Sequence, residues 1–497
     1  MVKAALIGTL MTPPSPSGAE LTSLPPAVDW LEVRADLVGD VDPDWLRSYF
    51  KGRLLYSLRS REEGGDSSDS LPERHRRLAT AALNYDRVEL EAGRDLSPAL
   101  LSEIPSAQRL ISWHGPAGDL SELKERFAQM SSVPASVYKL VTYCEKISDE
   151  FTPLVLLKEL GRADTIAYSI GPLGFWSRVV ALRLGAPAIS GPVPTGPSRV
   201  LPSEPTITKL IDDYCLPDVW PLKELFAIIG NPIFHSLSPR LHNAGYRAMD
   251  YPALFLPLQV NSFAEFWEQV AQSRAFDSLG LAFNGMTVAS PHKEVALVTA
   301  NNVGRMAQRA ESANILVRNN GDWQADTTDP DVIYMAGRER SVEVNRKRAA
   351  VIGCGGAGRA IAATLVQSGA VVTLVNRGEE RGKHAAELLS LPYLPLLDFD
   401  AAGFDIVVNA TPVGRDTDEV PFDLDRLNND AVVIDLVYGS RPTPLVASAL
   451  ARQQTVIDGR DVLLTQVLRQ FRLMTGQEMS PSIALQTLGR MTAGARH

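Results

Sequence analysis

The sequence is short of cysteine, of long apolar runs and of blocks of like charge, and each shortage removes a class of protein. Its three cysteines, Cys144, Cys215 and Cys354, show no CxxC spacing and are odd in number, so neither a disulfide framework nor a metal site is expected. No apolar stretch approaches the ~20 residues that cross a bilayer. No run of lysine and arginine offers a nucleic-acid footprint, so neither membrane nor nucleic acid is an expected partner. The N-terminal KAALIGTLM could pass for a signal peptide. It lacks a small-residue cleavage site and runs into PPSPSG, so it reads as a first strand, and a reducing cytoplasm is the expected compartment. The 49 Lys plus Arg against 58 Asp plus Glu leave a formal charge of -9, so an anionic small-molecule ligand needs locally placed arginines and lysines. Nothing here separates a monomer from a homodimer.

What is present is 497 residues, 45% of them hydrophobic, enough for two to four domains at roughly 150 residues each. From residue 3 to about 193, short apolar segments recur: AALIGTL, WLEVRAD, LLYSLRS, RVELEA, RLISWHG, VYKLVTYC, TIAYSIG and APAISGPV. Stretches with helical periodicity, among them LPERHRRLATAALN and LSELKERFAQM, separate them. The overall class is α/β, and eight strands with mostly helical connections predict a compact (β/α)8 barrel over residues 1–218. LPDVWPLKE suggests a linker at about 216–225. A mixed α/β domain is expected over 224–335 and a doubly wound Rossmann sheet over 336–460, with C-terminal helices (461–497) packing on the 224–335 domain.

Chemistry in such a barrel gathers at the C-terminal strand ends. Glu32, Arg34 and Asp36 alternate along the second strand, Arg59 ends the third, His114 the fifth, Lys139 lies in the sixth, and Arg178 opens the helix after the seventh. The charged face either lines the mouth or looks outward; unpaired charge against packed helices is costly, which favours the mouth. A lysine desolvated in VYKLVTY has a lowered pKa and can form a Schiff base with a ketone, a histidine can shuttle protons, and arginines can hold a carboxylate.

LEVRAD, SLRSREEGG, ISWHG, YKLVTYCEKISD and GFWSRVVALRLG resemble, in order, the motifs of type I 3-dehydroquinate dehydratase. The resemblance implies a (β/α)8 barrel without metal or cofactor, Lys139 as the imine-forming residue and His114 as the general acid/base. It implies further that Glu32 orients the histidine, that Arg34 and Arg59 contact substrate hydroxyls, and that Arg178 binds the carboxylate. The family's APGQ lid aligns with LPSE, which puts Glu204 where a substrate-binding glutamine is expected, and Gly115 replaces the polar residue after the histidine.

Downstream, IIGNPIFHSLSPRLHN sets Ser236 and Ser238 two apart, NGMTVASPHKE ends with Lys293 just beyond a proline, and ADTTDPDV carries Asp329. Singly these read as a helix cap and turn residues. Their order resembles shikimate dehydrogenase, which implies that Ser236 and Ser238 bind the substrate carboxylate, that Lys293 and Asp329 are the catalytic pair, and that Asn314 and Gln466 complete the hydroxyl contacts. The family's N-V-T, G-A-V-N and N-T-D read here Thr287-Val288-Ala289, Glu311-Ser312-Ala313-Asn314 and Thr327-Thr328-Asp329. Thr287 can still donate to substrate, whereas Ala289 cannot.

VIGCGGAGRAI follows a strand and opens a helix, so Gly353, Gly355, Gly356, Ala357 and Gly358 can meet a pyrophosphate with backbone N–H groups. The next strand ends at Asn376-Arg377 rather than at an acid; with Arg381 a turn further on, that end favours the 2'-phosphate of NADP over NAD. DIVVNATPVG, VIDLVYGSRPTPL and DGRDVLLTQ also resemble shikimate dehydrogenase, which adds Asn409, Thr411 and Gly459 to the cofactor candidates and Tyr438 to the substrate candidates. Together the resemblances imply a bifunctional lyase and oxidoreductase: 3-dehydroquinate loses water to 3-dehydroshikimate, which NADPH then reduces to shikimate. A sensor built on the same folds with impaired sites, and a quinate-preferring dehydrogenase half, are the alternatives.

Overall fold

The computed structural model describes residues 2–194, 204–415, 417–439 and 441–494. Two compact units divide the chain: Met1–Leu225 with Phe234–Asn243 and Tyr251–Phe283, and Phe226–Ile233 with Ala244–Asp250 and Asn284–His497.

In the first unit eight parallel strands form a nearly closed barrel: β1 (Ala5–Leu10), β2 (Trp30–Arg34), β3 (Arg53–Ser57), β4 (Arg87–Glu91), β5 (Arg109–Pro116), β6 (Val137–Tyr143), β7 (Thr165–Ile170) and β8 (Ala188–Pro192). The ladder runs β8, β1, β2 and onward to β7, and among the described residues the seam between β7 and β8 carries none. These are the eight segments expected from sequence. Strand alternation explains their composition: in β2, Leu31 and Val33 are fully buried on one side while Glu32 and Arg34 take the other. That polar side faces inward, because Glu32 reaches Thr9 of β1 and Ser57 of β3. Asp36 does not continue the face; β2 stops at Arg34, and Asp36 sits on the turn Ala35–Val38, where it accepts two bonds from Arg34 at 2.9 and 2.7 Å.

The expected linker is also tied down. Asp218 and Val219 pair antiparallel with Lys3 and Val2, and Trp220 is buried with its indole N–H on the Ala253 carbonyl at 3.0 Å.

The second unit holds a six-stranded parallel sheet: β9 (Arg348–Ile352), β10 (Val371–Asn376), β11 (Tyr393–Pro395), β12 (Ile406–Asn409), β13 (Val432–Asp435) and β14 (Val456–Ile457), in spatial order β11-β10-β9-β12-β13-β14. This is the dinucleotide-binding order, with β9 and β12 flanking the switch point. Both faces are covered: Ala349 and Val351 of β9 join one apolar cluster, Ala350 and Ile352 the other. The run RAAVI is therefore apolar throughout instead of alternating. β11 and β14 were not anticipated.

Also in this unit, Ile315–Asn319 pairs antiparallel with residues of Ala282–Val288 and with Asp322–Asp326, which pairs parallel with Asn302–Val303. The helix Gly459–Thr475 packs here, its Phe471 ring 5.1 Å from that of Tyr246. No helix among the described residues is long and apolar enough to cross a membrane.

Candidate active sites

The mouth of the barrel collects Thr9, Glu32, Arg34, Arg59, His114, Lys139, Tyr168, Arg178, Ser190 and Glu204 around one pocket. Lys139 is buried, and its Nζ donates to Glu89 Oε1 at 3.0 Å. Burial alone would lower its pKa, as the sequence suggested. The carboxylates of Glu89 and Glu32 outweigh that cost, and the net shift is upward. The expected depressed lysine is thus corrected: at rest Lys139 is an ammonium. Glu89 is fully buried, which would raise its pKa, yet Lys139 and Arg59 hold it well below the usual carboxylate range. Ser57 Oγ donates within this cluster, bridging Glu89 and Glu32 Oε1, the latter at 2.8 Å.

His114 has a different partner from the one expected. Its Nδ1 lies 2.9 Å from Glu63 Oε2, and the same oxygen accepts the His114 backbone N–H at 3.0 Å. Glu32 is occupied by Thr9 Oγ1 at 2.7 Å and Ser57 and does not orient the histidine. Burial pushes the His114 pKa well down, helped by the nearby Arg59 and Lys139, so the ring is neutral. With the ring proton on Nδ1, Oε2 of Glu63 accepts both N–H groups. Nε2 is left as a buried lone pair without a partner among the described residues. Glu63 itself is pushed up to about 9 by burial and by Glu91 and Glu89.

The arginines are part-committed. Arg34 is held by Asp36, while Arg59 Nε and Arg178 Nε are buried without hydrogen-bond partners among the described residues. Arg178 donates to the Ser190 carbonyl at 3.2 Å, lies 5.0 Å over the Tyr168 ring, and sits 3.8 Å from Glu204. The first three residues of the LPSE lid lie outside the described residues.

In the second unit Lys293 opens a short helix and donates to Asp329 Oδ2 at 3.0 Å. Asp329 is 1% exposed, and its other oxygen accepts from Asn314 Nδ2 at 3.0 Å and Gln466 Nε2 at 2.7 Å. Four expected residues, from segments up to 173 positions apart in sequence (293 and 466), thus meet at one carboxylate. Thr328, which bonds Asn314 at 3.0 Å, and Gln470, which bonds Thr328 at 3.1 Å, extend the network and were not foreseen. Thr287 is buried, with its hydroxyl 3.5 Å from the Ala227 carbonyl. Ser236 and Ser238 belong to the first unit, where the Ser238 N–H donates to Ser236 Oγ at 3.2 Å.

The turn after β9 has the features of a dinucleotide cradle. Gly353 adopts φ +104°, a Cβ on Gly358 would run into the Gly353 carbonyl, and a Cβ on Gly355 would meet nothing within 4 Å. The helix Gly356–Gln367 therefore presents the free N–H groups of its first turn, including that of Ala357, to an open face, which fits a pyrophosphate. Arg377 and Arg381 are exposed beyond the end of β10. Asn376, expected to donate to the cofactor, is committed to the loop: Oδ1 accepts from Cys354 N at 3.1 Å and Nδ2 donates to Gly378 O at 2.7 Å. Asn409 is similarly corrected. It is fully buried, donates to Asp435 at 3.0 Å, and accepts from Thr411 Oγ1 at 2.7 Å, so it braces Thr411. Gly459 is required for packing, because a Cβ there would strike the Val437 carbonyl next to half-buried Tyr438.

Comparisons with known proteins follow these divisions. The family model for type I 3-dehydroquinase matches residues 16–216, that for the shikimate dehydrogenase substrate binding domain matches 228–316, and that for NADP oxidoreductase, coenzyme F420-dependent, matches 348–439. A bifunctional 3-dehydroquinate dehydratase/shikimate dehydrogenase of Arabidopsis thaliana, named as chloroplastic, is 27% identical over 90% of this chain and 78% of its own. A shikimate dehydrogenase (NADP(+)) of Syntrophobacter fumaroxidans is 35% identical over 50% of this chain and 85% of its own. A solved shikimate dehydrogenase from Aquifex aeolicus, 29% identical, covers 54% of this chain and 97% of its own with a TM-score of 0.48. The chain belongs to the shikimate dehydrogenase family, and it carries that family's unit after a barrel matched by the type I 3-dehydroquinase model.

Proposed function

We propose that the chain catalyses two consecutive reactions, dehydration of 3-dehydroquinate to 3-dehydroshikimate in the barrel and NADPH-dependent reduction of that ketone to shikimate in the second unit. The observation that carries this reading is a pair of lysine–carboxylate contacts, Lys139–Glu89 at the barrel mouth and Lys293–Asp329 in the second unit, each at 3.0 Å. The likeness to the bifunctional Arabidopsis protein over 90% of the chain supports the combination.

In the barrel, Lys139 passes a proton to its surroundings, attacks the C3 ketone and expels water to form the imine. The imine acidifies C2–H; His114 Nε2 takes that proton and returns it to the departing C1 hydroxyl, which leaves as water. The Nδ1–H bond to Glu63 Oε2 stabilises the transient imidazolium. Hydrolysis of the imine releases the enone and restores the lysine. Arg178, with Arg34 and Arg59, binds the substrate carboxylate and hydroxyls.

In the second unit bound NADPH supplies the hydride. Lys293 hydrogen-bonds the substrate carbonyl and protonates the developing alkoxide, and Asp329, fixed by Asn314 and Gln466, holds the ammonium in place. Thr287 and Tyr438 line the substrate. Gly353, Gly355, Gly356, Ala357 and Gly358 cradle the diphosphate; Arg377 and Arg381 take the 2'-phosphate, with Thr411 and Gly459 on the nicotinamide side. On this reading residues 1–218 are the dehydratase, 224–335 the substrate domain, 336–460 the nucleotide domain and 461–497 the C-terminal helices that pack on the substrate domain. Three free cysteines suit a reducing compartment.

The test is to supply purified protein with 3-dehydroquinate, then NADPH, following enone absorbance and NADPH loss. Enone followed by NADPH consumption is expected. Enone without NADPH loss removes the reductase half, and no enone removes the dehydratase half.

A further inference from the structure

Ser312 lies two residues before Asn314, in the segment where this chain departs most from the related motif. It is 1% exposed, and its hydroxyl has no hydrogen-bond partner among the described residues. A buried hydroxyl left unpaired is costly, and in native proteins such a group generally has a missing partner.

The hydroxyl is aimed at the dinucleotide turn. A Cβ built on Gly356, the first residue of the 12-residue helix Gly356–Gln367, would fall on Ser312 Oγ and lie 3.5 Å from Lys293 Cδ. Ser312 and the proton-donating lysine thus both stand against the first residue of the helix.

Its backbone is held firmly there. Arg359, one turn along the same helix, donates Nε to the Ala310 carbonyl at 2.7 Å and Nη2 to the Glu311 carbonyl at 3.1 Å and to Glu294 Oε1 at 2.9 Å. Ser312 N–H donates to Ala307 O and Ala313 N–H to Lys293 O, both at 3.0 Å. These bonds satisfy the N–H groups of Ser312 and Ala313 and the carbonyls of Ala310 and Glu311, and leave the hydroxyl without a partner among the described residues. A rigid O–H donor beside the free N–H groups of a helix start suits an anionic oxygen.

We propose that Ser312 is a dinucleotide-binding residue whose hydroxyl donates a hydrogen bond to the diphosphate of the cofactor on its nicotinamide side. The proposal rests on the reading of the second unit as an NADPH-dependent reductase. Proximity to Lys293 assigns the nicotinamide side, because the hydride must be delivered beside that ammonium.

Ser312→Ala keeps the Cβ and removes only the donor. Fluorescence titration is expected to show NADPH binding weakened about tenfold. Binding of 2',5'-ADP, which carries the 2'-phosphate without the nicotinamide half, should be unchanged, and the ligand-free melting temperature should be unchanged or higher. Wild-type NADPH affinity in the variant, or equal losses for both ligands, would overturn the proposal. Failure of the unaltered protein to bind NADPH would overturn the reductase reading, and this proposal with it, and is read on a different sample.

Discussion

Glu63 Oε2 accepts both the backbone N–H of His114 and its Nδ1–H, at 3.0 and 2.9 Å. One oxygen thereby anchors the ring of the general base and leaves its Nε2 free among the described residues. Glu63→Leu, which removes the acceptor, is expected to lower dehydratase kcat by ten- to a hundredfold through loss of this anchor. Glu32→Gln should leave the His114 tautomer, read by 15N chemical shifts, unchanged.

Glu63→Gln, which keeps an acceptor oxygen but cannot ionise, should stabilise the fold. A carboxyl raised to about 9 in the folded protein binds a proton that the unfolded chain releases above its ordinary pKa of about 4.3. Stability therefore falls as pH rises between those values. Glu63→Gln removes that loss, so its gain over the unaltered protein, on the order of 5 kcal/mol at pH 8, should vanish near pH 4. Urea unfolding at both pH values checks the sign.

Glu89→Gln should have the opposite effect. It leaves the buried Lys139 ammonium without its carboxylate, a cost of about 3–5 kcal/mol. The depressed Glu89 contributes stability above its unfolded pKa that is lost as pH falls through its folded value, and the raised Lys139 contributes stability below its unfolded pKa that is lost as pH rises through its folded value. The deficit should hold across roughly pH 5 to 9 and shrink in strong acid. Chemical denaturation over that range measures it.

These acids show what the sequence could and could not convey. The barrel strands were legible from apolar segments at regular spacing, and the Rossmann sheet from its glycine turn. Side-chain partners were not: Glu63 and Glu89 stand 51 and 50 residues from His114 and Lys139, and meet them only because the curved sheet turns their side chains toward one mouth. Glu63 lies inside SREEGG, on the short helical turn Arg61–Glu63, where no strand alternation marks it. The hairpin joining Ile315–Asn319 to Asp322–Asp326 did have a signal, Asn320-Gly321, both at positive φ as a two-residue hairpin turn requires.

Glu311 shows a departure with a local cost. It adopts φ 46°, a left-handed conformation that suits glycine, and its contact with His384 at 3.1 Å is at the surface. Glu311→Gly should raise stability by about 1 kcal/mol in denaturant titrations without changing reductase kcat.

The most direct test of two separate chemistries in one chain is a paired knockout. Lys139→Met should abolish enone formation from 3-dehydroquinate while 3-dehydroshikimate is still reduced with NADPH, and Lys293→Met should lower that reduction by about 10²- to 10⁴-fold while enone formation continues. Loss of both activities in either folded variant, or persistence of enone formation in Lys139→Met, would contradict the assignment.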